Sequence, residues 1–302
     1  MLNSGKQRLY RDIHGVLEAI QPLERIEIKT KIGSLVPVYK VEDHGRMKLV
    51  PIKVDSTGKI KSFQLQEPTE IATSVGSITC EFVTFYESGA IKRVFPLNGK
   101  LSGYWSQENE YKLAKLISIP TPLGNIRVKP IYLHFYETGE IKSITFWPGE
   151  IVELPTPSGI INIKTGISFY KNGSLKSYEP NEIIEIETSI GVIEAFDPDP
   201  MGINGEKNSL SFTESGNVLT LSTVSKEIDV IKDGAKHRYS PLKQLSRCSD
   251  SVYVTLPLNI EFNGESVIFK HINKVIGIEP LTAWFTVMDY SWSSHPQLQS
   301  CS

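Results

Sequence analysis

The chain has 302 residues, of which 32 are basic and 34 acidic, and its formal net charge is −2. This balance supplies no net field that would attract nucleic acid or an anionic lipid surface. The cysteines, Cys80, Cys248 and Cys301, are odd in number and widely spaced, which indicates neither a disulfide framework nor a CxxC metal or redox site. The chain lacks a signal-peptide pattern and a membrane-length apolar run, so we expect a soluble, cytoplasmic protein.

Glycine recurs along the chain in a first class of turn, in which an aliphatic residue follows two places later. Phe85-Tyr86-Glu87-Ser88-Gly89 is typical of the class, and a type I turn followed by a left-handed glycine would pair Phe85 with Ile91. The same register places Thr84, His134, Ser168 and Ser211 opposite Lys92, Lys142, Lys176 and Leu219, which predicts a solvated outer face in three of the four hairpins. The glycines of this class are Gly15, Gly45, Gly58, Gly89, Gly139, Gly173 and Gly216.

A second class of turn alternates with the first and carries threonine three residues before the glycine. In Ile119-Pro120-Thr121-Pro122-Leu123-Gly124-Asn125-Ile126, pairing of the two isoleucines requires a two-residue loop of type I or II. The aliphatic residues on both sides of these turns then share one apolar face. The glycines of the second class are Gly33, Gly76, Gly124, Gly159 and Gly191.

The two classes of turn predict strands of about 8 to 14 residues, interrupted by two insertions. The first insertion spans residues 98 to 116 and contains a predicted short helix that Ser106 caps. The second, residues 197 to 208, is rich in Pro, Gly and Asn. After about residue 225 the repeat stops, but residues 251 to 256 and a hairpin with an Asn-Gly turn at residues 258 to 269 still indicate strands.

We therefore predict an all-β fold: an antiparallel up-and-down meander of hairpin repeats, rolled or sandwich-like. Residues 1–225 form the repeat sheet, and residues 226–302 form a C-terminal β-rich capping segment. The apolar residues near Trp284, Phe285 and Trp292 suggest that this segment packs on the sheet.

Aromatic and basic residues that recur near the turns are candidates for a binding surface. The aromatic residues could form a platform for a sugar, peptide or base, and the lysines that follow the glycines could form a basic ladder for phosphate or lipid. Both sets have a structural alternative, since aromatic residues favour strands and acidic residues near the turns balance the lysines. The candidate residues are Tyr86, Tyr136, Tyr170, Trp105, Lys92, Lys142 and Lys176.

Motifs for catalysis, cofactors and metals are missing from the sequence. The loop at residues 197–208 superficially resembles a calcium loop, but Met201 replaces an oxygen ligand and Asn208 stands where a bidentate glutamate is needed, so we interpret it as a turn-rich loop. The histidines form no spaced metal pair, and Cys248 has no recognisable partner histidine. We therefore assign no catalytic, cofactor-binding or metal-binding residue.

The units that begin at Phe85, Phe135 and Phe169 resemble MORN-variant repeats, the aromatic-Glu-x-Gly-x-aliphatic-Lys hairpins of bacterial antitoxin-like proteins. The resemblance covers about residues 9 to 222. It implies elongated antiparallel sheets that serve mostly as scaffolds, protein-binding surfaces or lipid-associated modules.

We expect a non-catalytic protein-binding or scaffold protein whose partner is a protein rather than nucleic acid. One alternative is an enzyme that acts on a carbohydrate or other polymer along a groove of the sheet. Two carboxylates about 5 to 10 Å apart beside Tyr86, Tyr136 or Trp105 would favour that alternative. A further alternative is association with anionic lipid through the lysines.

Overall fold

A computed structural model describes residues 6–40, 50–98, 104–156, 159–200, 204–246 and 252–290. These residues lie mostly in antiparallel strands, which confirms the predicted all-β class. The chain divides into two compact units, Met1–Val152 with Phe169–Gly173, and Glu153–Ser168 with Ser174–Ser302. The boundary predicted at residue 225 stays a prediction.

The first unit contains twelve strands and one short helix among its described residues. In chain order they are β1 (Gln7–Arg11), β2 (Leu17–Pro22), β3 (Ile28–Thr30), β4 (Gly33–Leu35), β5 (Ile52–Val54), β6 (Ile60–Thr73), β7 (Gly76–Phe85), β8 (Ile91–Phe95), α1 (Gln107–Leu113), β9 (Ile117–Thr121), β10 (Gly124–Val128), β11 (Pro130–Phe135) and β12 (Ile141–Phe146). Ser106 caps α1 by accepting a hydrogen bond from the backbone N–H of Asn109, as predicted.

The remaining strands follow in the same alternating pattern of strand and short turn. They are β13 (Val152–Thr156), β14 (Gly159–Phe169), β15 (Leu175–Pro180), β16 (Ile184–Thr188), β17 (Gly191–Ala195), β18 (Leu210–Phe212), β19 (Val218–Thr223), β20 (Lys226–Lys232), β21 (Ala235–Tyr239), β22 (Leu242–Leu245), β23 (Tyr253–Leu256), β24 (Leu258–Phe262), β25 (Ser266–His271), β26 (Lys274–Pro280) and β27 (Trp284–Asp289).

Most of these strands belong to a large antiparallel meander, as predicted. In the first unit the strand order is β1-β2-β5-β6-β7-β8-β11-β12, and in the second it is β14-β15-β18-β19-β24-β25-β26. The tail therefore contributes β24, β25 and β26 to the meander. Separate small sheets are formed by β3 with β4, β9 with β10, β16 with β17, β22 with β23, and β20 with β21 and β27.

The first class of turn has the predicted geometry wherever it is described. Gly89 and Gly139 have φ of 80° and 105°, and the Gly139 N–H donates to the carbonyl of Tyr136 over 2.9 Å. Phe85 pairs with Ile91 and Phe135 with Ile141. The turn predicted at Gly45 lies outside the described residues.

The second class of turn closes two-residue loops at Gly33, Gly76, Gly124 and Gly191, also as predicted, whereas the loop before Gly159 lies outside the described residues. Thr121 pairs with Gly124 and Ile119 with Ile126. The threonine hydroxyl has a role that the sequence pattern did not show: it donates to the glycine carbonyl over 2.7 Å and accepts from the backbone N–H of Leu123 over 3.2 Å. The same two hydrogen bonds recur at Thr30, Thr73 and Thr188.

The core of the first unit is a row of apolar side chains that are paired directly across neighbouring strands. Each has at most 3 % of its surface exposed. Their register makes the row continuous across the sheet, and burial of its apolar side chains stabilises this unit. The row consists of Ile20, Ile52, Phe63, Val83, Val94, Leu133 and Ile144.

The predicted solvated face is wrong in its register and in part of its exposure. The hairpins at Gly15, Gly58, Gly89, Gly139 and Gly216 contain a second bulge. Thr84 therefore pairs with Arg93 rather than Lys92, and His134 pairs with Ser143. His134 and Ser168 have only 2 % of their surface exposed. The sequence pattern revealed the glycine bulge but not the additional residue that follows it, which shifts the polar side chains by one position.

Candidate functional site

The recurring tyrosines hold neighbouring hairpins of the first unit together. The hydroxyl of Tyr86 donates to the carbonyl of Phe135 over 2.8 Å, and the hydroxyl of Tyr136 donates to the carbonyl of Phe169 over 3.0 Å. Each bond joins one hairpin to the aromatic residue that starts the next. Tyr170 lies at the corresponding place in its own turn and is half-buried. We therefore attribute the recurrence of Tyr86 and Tyr136 to structure.

The recurring lysines occupy the additional position of the second bulge. In the register of the hairpins, Lys92 and Lys142 are the extra residues of this bulge, because Thr84 pairs with Arg93 and His134 with Ser143. The Lys92 ammonium lies 5.4 Å from the centre of the Tyr86 ring, and the Lys142 ammonium lies 5.8 Å from the centre of the Tyr136 ring. These cation–π contacts are within the range of attractive geometry. Lys176, the equivalent residue after Gly173, is half-buried.

Trp105 anchors the insertion that contains α1. Its indole N–H donates to the carboxylate of Glu110 over 2.5 Å, and Glu110 is fully buried. The hydroxyl of Tyr111 donates to Glu150 over 2.7 Å, which ties the helix to the turn after β12. The insertion around Trp105 is therefore held by buried polar contacts.

Groups that could support metal or thiol chemistry are not found among the described residues. No cluster of three or more His, Cys, Asp or Glu side chains has metal-binding geometry in this part of the chain. In the loop at residues 197–208, Asp197 accepts from the backbone N–H of Asp199, which is ordinary turn geometry. Burial raises the pKa of Cys80 to about 12, so its thiol stays protonated near neutral pH.

A different surface has the composition of a binding site: the three-stranded sheet β21-β20-β27. Asp233 and Gly234 form the turn between β20 and β21, with φ of 50° and 77°. An Asp-Gly pair between strands is a strong signal for such a hairpin. This Asp-Gly pair is the sequence signal for the sheet, and it was not among the predicted turns.

The inner face of this sheet is apolar and buried. Ile228 and Val230 on the central strand have none of their surface exposed, and Val287 on β27 lies on the same face. β27 contacts β17 of the same unit. Lys226 adds an ion pair with Glu194 at 3.0 Å. These contacts fix the sheet in place through its inner face, and its opposite face points outward.

The outward face of the sheet, which we call the Trp284 face, combines a charged network with an exposed aromatic residue. Asp229 receives two hydrogen bonds from Arg238, at 2.7 and 2.9 Å, and lies 2.7 Å from the Lys236 ammonium. These contacts hold the pKa of Asp229 well below its usual value. Glu227 lies 3.1 Å from Arg238. The carboxylates are mostly covered, whereas the side chains of Arg238 and Lys236 are 50 % and 58 % exposed.

Trp284 lies beside this network and is 79 % exposed. It pairs with Ile231, which is 45 % exposed, so the two apolar side chains share the outward face. The sequence predicts that the C-terminal segment packs on the repeat sheet, and the exposed Trp284 side chain does not take part in that packing. Its neighbour Phe285 faces inward and is half-buried, while Trp292 lies outside the described residues. Strand alternation explains why adjacent aromatic residues have opposite environments.

No helix in the described part of the chain has the length and apolar character needed to cross a membrane. Comparison of the chain with protein-family models, curated proteins and solved structures finds no match.

Proposed function

We propose that this chain is a protein-binding module and that the Trp284 face contacts the partner. The observation that carries the proposal is Trp284, which is 79 % exposed and lies next to Ile231 on the outward face of the sheet. The opposite face of the same sheet is buried. Tryptophan, tyrosine and arginine are the residues that most often dominate the energy of protein interfaces. An exposed indole beside an aliphatic side chain offers apolar area with little conformational entropy to lose.

The charges of the Trp284 face suggest the chemistry of the partner. The side chains of Arg238 and Lys236 are half-exposed although their cationic groups pair with carboxylates, while the side chain of Asp229 is 5 % exposed. A complementary surface would therefore have an apolar pocket for the indole and acidic or carbonyl groups at its rim. Bidentate pairing with Asp229 fixes the Arg238 guanidinium, so less side-chain entropy is lost when a partner binds.

Comparison of two matched variants tests the proposal. Tagged wild-type protein, Trp284→Ala and Ile160→Ala would be purified from the native cells, and the proteins that co-purify would be quantified by mass spectrometry. Ile160 is a suitable control because it is 78 % exposed but lies on β14, outside the Trp284 face. We expect a partner to be lost with Trp284→Ala and retained with Ile160→Ala. The same set of proteins with all three baits would contradict the proposal.

We extend the proposal to a cytoplasmic location, where a free, buried thiol such as Cys80 stays reduced. The alternatives of a polymer-active enzyme and of a lipid-associated module stay predictions, as does the resemblance to MORN-variant repeats.

A further inference from the structure

A polar cleft lies on the second unit, away from the residues of the Trp284 face. Its volume is about 200 Å³, and it lies over strands β19, β24 and β25 of the large sheet. Seven polar residues contribute to its lining: Asn208, Ser209, Thr220, Ser222, Asn259, Glu261 and Lys270.

The register of the strands gathers these side chains on one face. Thr220 pairs with Glu261, Ser222 pairs with Asn259, and Asn259 pairs with Lys270. The residues between them point to the opposite face, where Leu221 and Ile260 are each only 1 % exposed. The polar side chains of the cleft therefore lie on one face of the strands, and buried apolar side chains lie on the opposite face.

The charged groups of the cleft compensate each other. The ammonium of Lys270 lies 2.5 Å from the carboxylate of Glu261, so neither charge is available alone to attract an ion. Together, Glu261 and Lys270 add no net charge to the cleft. Ligands that depend on a strong field, such as phosphate or a divalent cation, fit this arrangement poorly.

The remaining groups combine hydrogen-bond donors with acceptors. Ser222 donates to Asn259 Oδ1 over 2.7 Å, and this hydroxyl keeps acceptor capacity. Ser209, at the end of the cleft, donates its hydroxyl proton to Glu179 over 2.5 Å, so its lone pairs also stay available. Asn208 Oδ1 is buried without a hydrogen-bond partner, which is unfavourable unless a donor reaches it.

We propose that this cleft binds one ring of a neutral, polyhydroxylated ligand, that is, a single sugar unit. A sugar hydroxyl donates and accepts at the same time, which matches a lining of hydroxyls, amides and a neutralised ion pair. At roughly 30 Å³ per water, the volume corresponds to about six or seven water molecules, a size suited to one ring rather than to a larger ligand. The ring belongs either to a free monosaccharide or to the end of a glycan.

Saturation-transfer NMR on the full chain tests this proposal and distinguishes the two sources. The probes are glucose, galactose, mannose and N-acetylglucosamine, followed by an array of glycans that end in the same rings. We expect transfer to at least one free sugar if a monosaccharide is the ligand. If further glycan contacts are needed, we expect binding on the array alone.

Two variants connect the signal to the cleft. Thr220→Val removes a hydroxyl at nearly constant shape, and Ser211→Ala, which removes only the 2.6 Å hydrogen-bond partner of that hydroxyl, shows the effect of losing this internal bond alone. Asn208→Ala removes the unpartnered acceptor together with the donors to Ser177 and Gly205. Thr220→Val and Asn208→Ala should each weaken binding roughly tenfold, the effect of one lost hydrogen bond of about 1.4 kcal/mol. Thr286→Val is the control, because Thr286 is an exposed residue of β27 whose loss should leave sugar binding unchanged. Circular dichroism checks that each variant folds. If Asn208→Ala does not fold, Thr220→Val alone tests the cleft.

Three results would overturn the proposal: no sugar or glycan of the set binds, the folded cleft variants bind as well as the wild type, or serine at the same concentration displaces the sugar. The last result would indicate a site for a zwitterion, with Glu261 and Lys270 as its contacts. Sugar binding should persist in Trp284→Ala.

Discussion

At Gly139 the backbone conformation, rather than the available space, restricts the residue type. Its φ is 105°, and a Cβ added there would have no atom within 4 Å. A side chain would therefore meet no neighbour, but the residue would be held in a region that branched side chains rarely adopt. The glycine requirement at this turn was predictable from the sequence, because the residue spacing defines the turn type.

We expect Gly139→Val to lower the free energy of unfolding by about 1 to 3 kcal/mol, because valine is strained at positive φ. Urea denaturation followed by circular dichroism measures the change. Gly139→Asn is the control, since asparagine tolerates the left-handed region better and should cost less. Equal stability of the valine variant and the wild type would contradict the bulge geometry.

The roles of Tyr136 and Lys142 show the limit of prediction at the residue scale. The sequence indicated that both recur, but it did not show that the Tyr136 hydroxyl reaches the Phe169 carbonyl. That contact depends on the spacing between separate hairpins, which local patterns do not encode. The second bulge at Lys142 was equally invisible, because no glycine marks it.

At the scale of the element, β26 contains a glycine of a different kind. Gly277 pairs with Phe269, and a Cβ added to it would lie 2.2 Å from the Tyr239 hydroxyl oxygen. The Tyr239 ring stacks on Phe269 with centroids 4.1 Å apart, and its hydroxyl donates to Glu279 over 2.6 Å. The ring therefore occupies the space that a side chain at residue 277 would need.

We expect Gly277→Ala to lower the free energy of unfolding by about 1 to 3 kcal/mol, because the added methyl group displaces Tyr239 from its stacked position. In a Tyr239→Ala background, Gly277→Ala should lower the free energy of unfolding by much less. A double-mutant cycle by urea denaturation measures this coupling. Additive effects of the two substitutions would show that the ring does not fill this space.

Prolines explain where the meander gives way to the small hairpins. β2 ends at Pro22, β11 begins at Pro130 and β15 ends at Pro180. Proline lacks the N–H that a ladder requires, so it favours the ends of strands. The sequence analysis identified the turns of both classes but predicted continuous strands between them. The three prolines were the signal for these interruptions.

At the scale of the whole molecule, buried carboxylates make stability depend on pH. Glu179 has none of its surface exposed, and its burial raises its pKa to about 7, partly offset by hydrogen bonds from Ser209. The folded protein then holds a proton that the unfolded chain releases near its ordinary pKa of 4.5. Asp229 affects stability in a lower pH range. Because its pKa is lowered in the folded protein, the stability that its ionised form contributes is lost only as the pH falls below the ordinary pKa of 3.8.

We expect the free energy of unfolding to fall by on the order of 2 to 3 kcal/mol between pH 5 and pH 8 because of Glu179. Glu179→Gln should flatten this slope, since the amide oxygen still accepts from Ser209 but the group does not ionise. Urea denaturation of both proteins at the two pH values measures the difference. Parallel slopes would contradict a raised pKa at Glu179.

The class of the whole fold was predictable from the sequence, since turns and strand periodicity are local properties. The contribution of the tail was not. Residues after 225 lack the repeat, yet β24 pairs with β19 and continues the meander. The position of Trp284 was also unpredictable, because the partner of β27 is β20, more than 50 residues earlier in the chain.

The recurring residues of the hairpins serve structure, and we propose that a partner binds on the Trp284 face. Photo-crosslinking separates the two surfaces, with a benzophenone amino acid placed at residue 136 in one protein and at residue 286 in another; residue 286 lies on the Trp284 face and leaves Trp284 intact. We expect a crosslinked partner at residue 286 and none at residue 136. A partner crosslinked at residue 136, with none at residue 286, would rule out the Trp284 face.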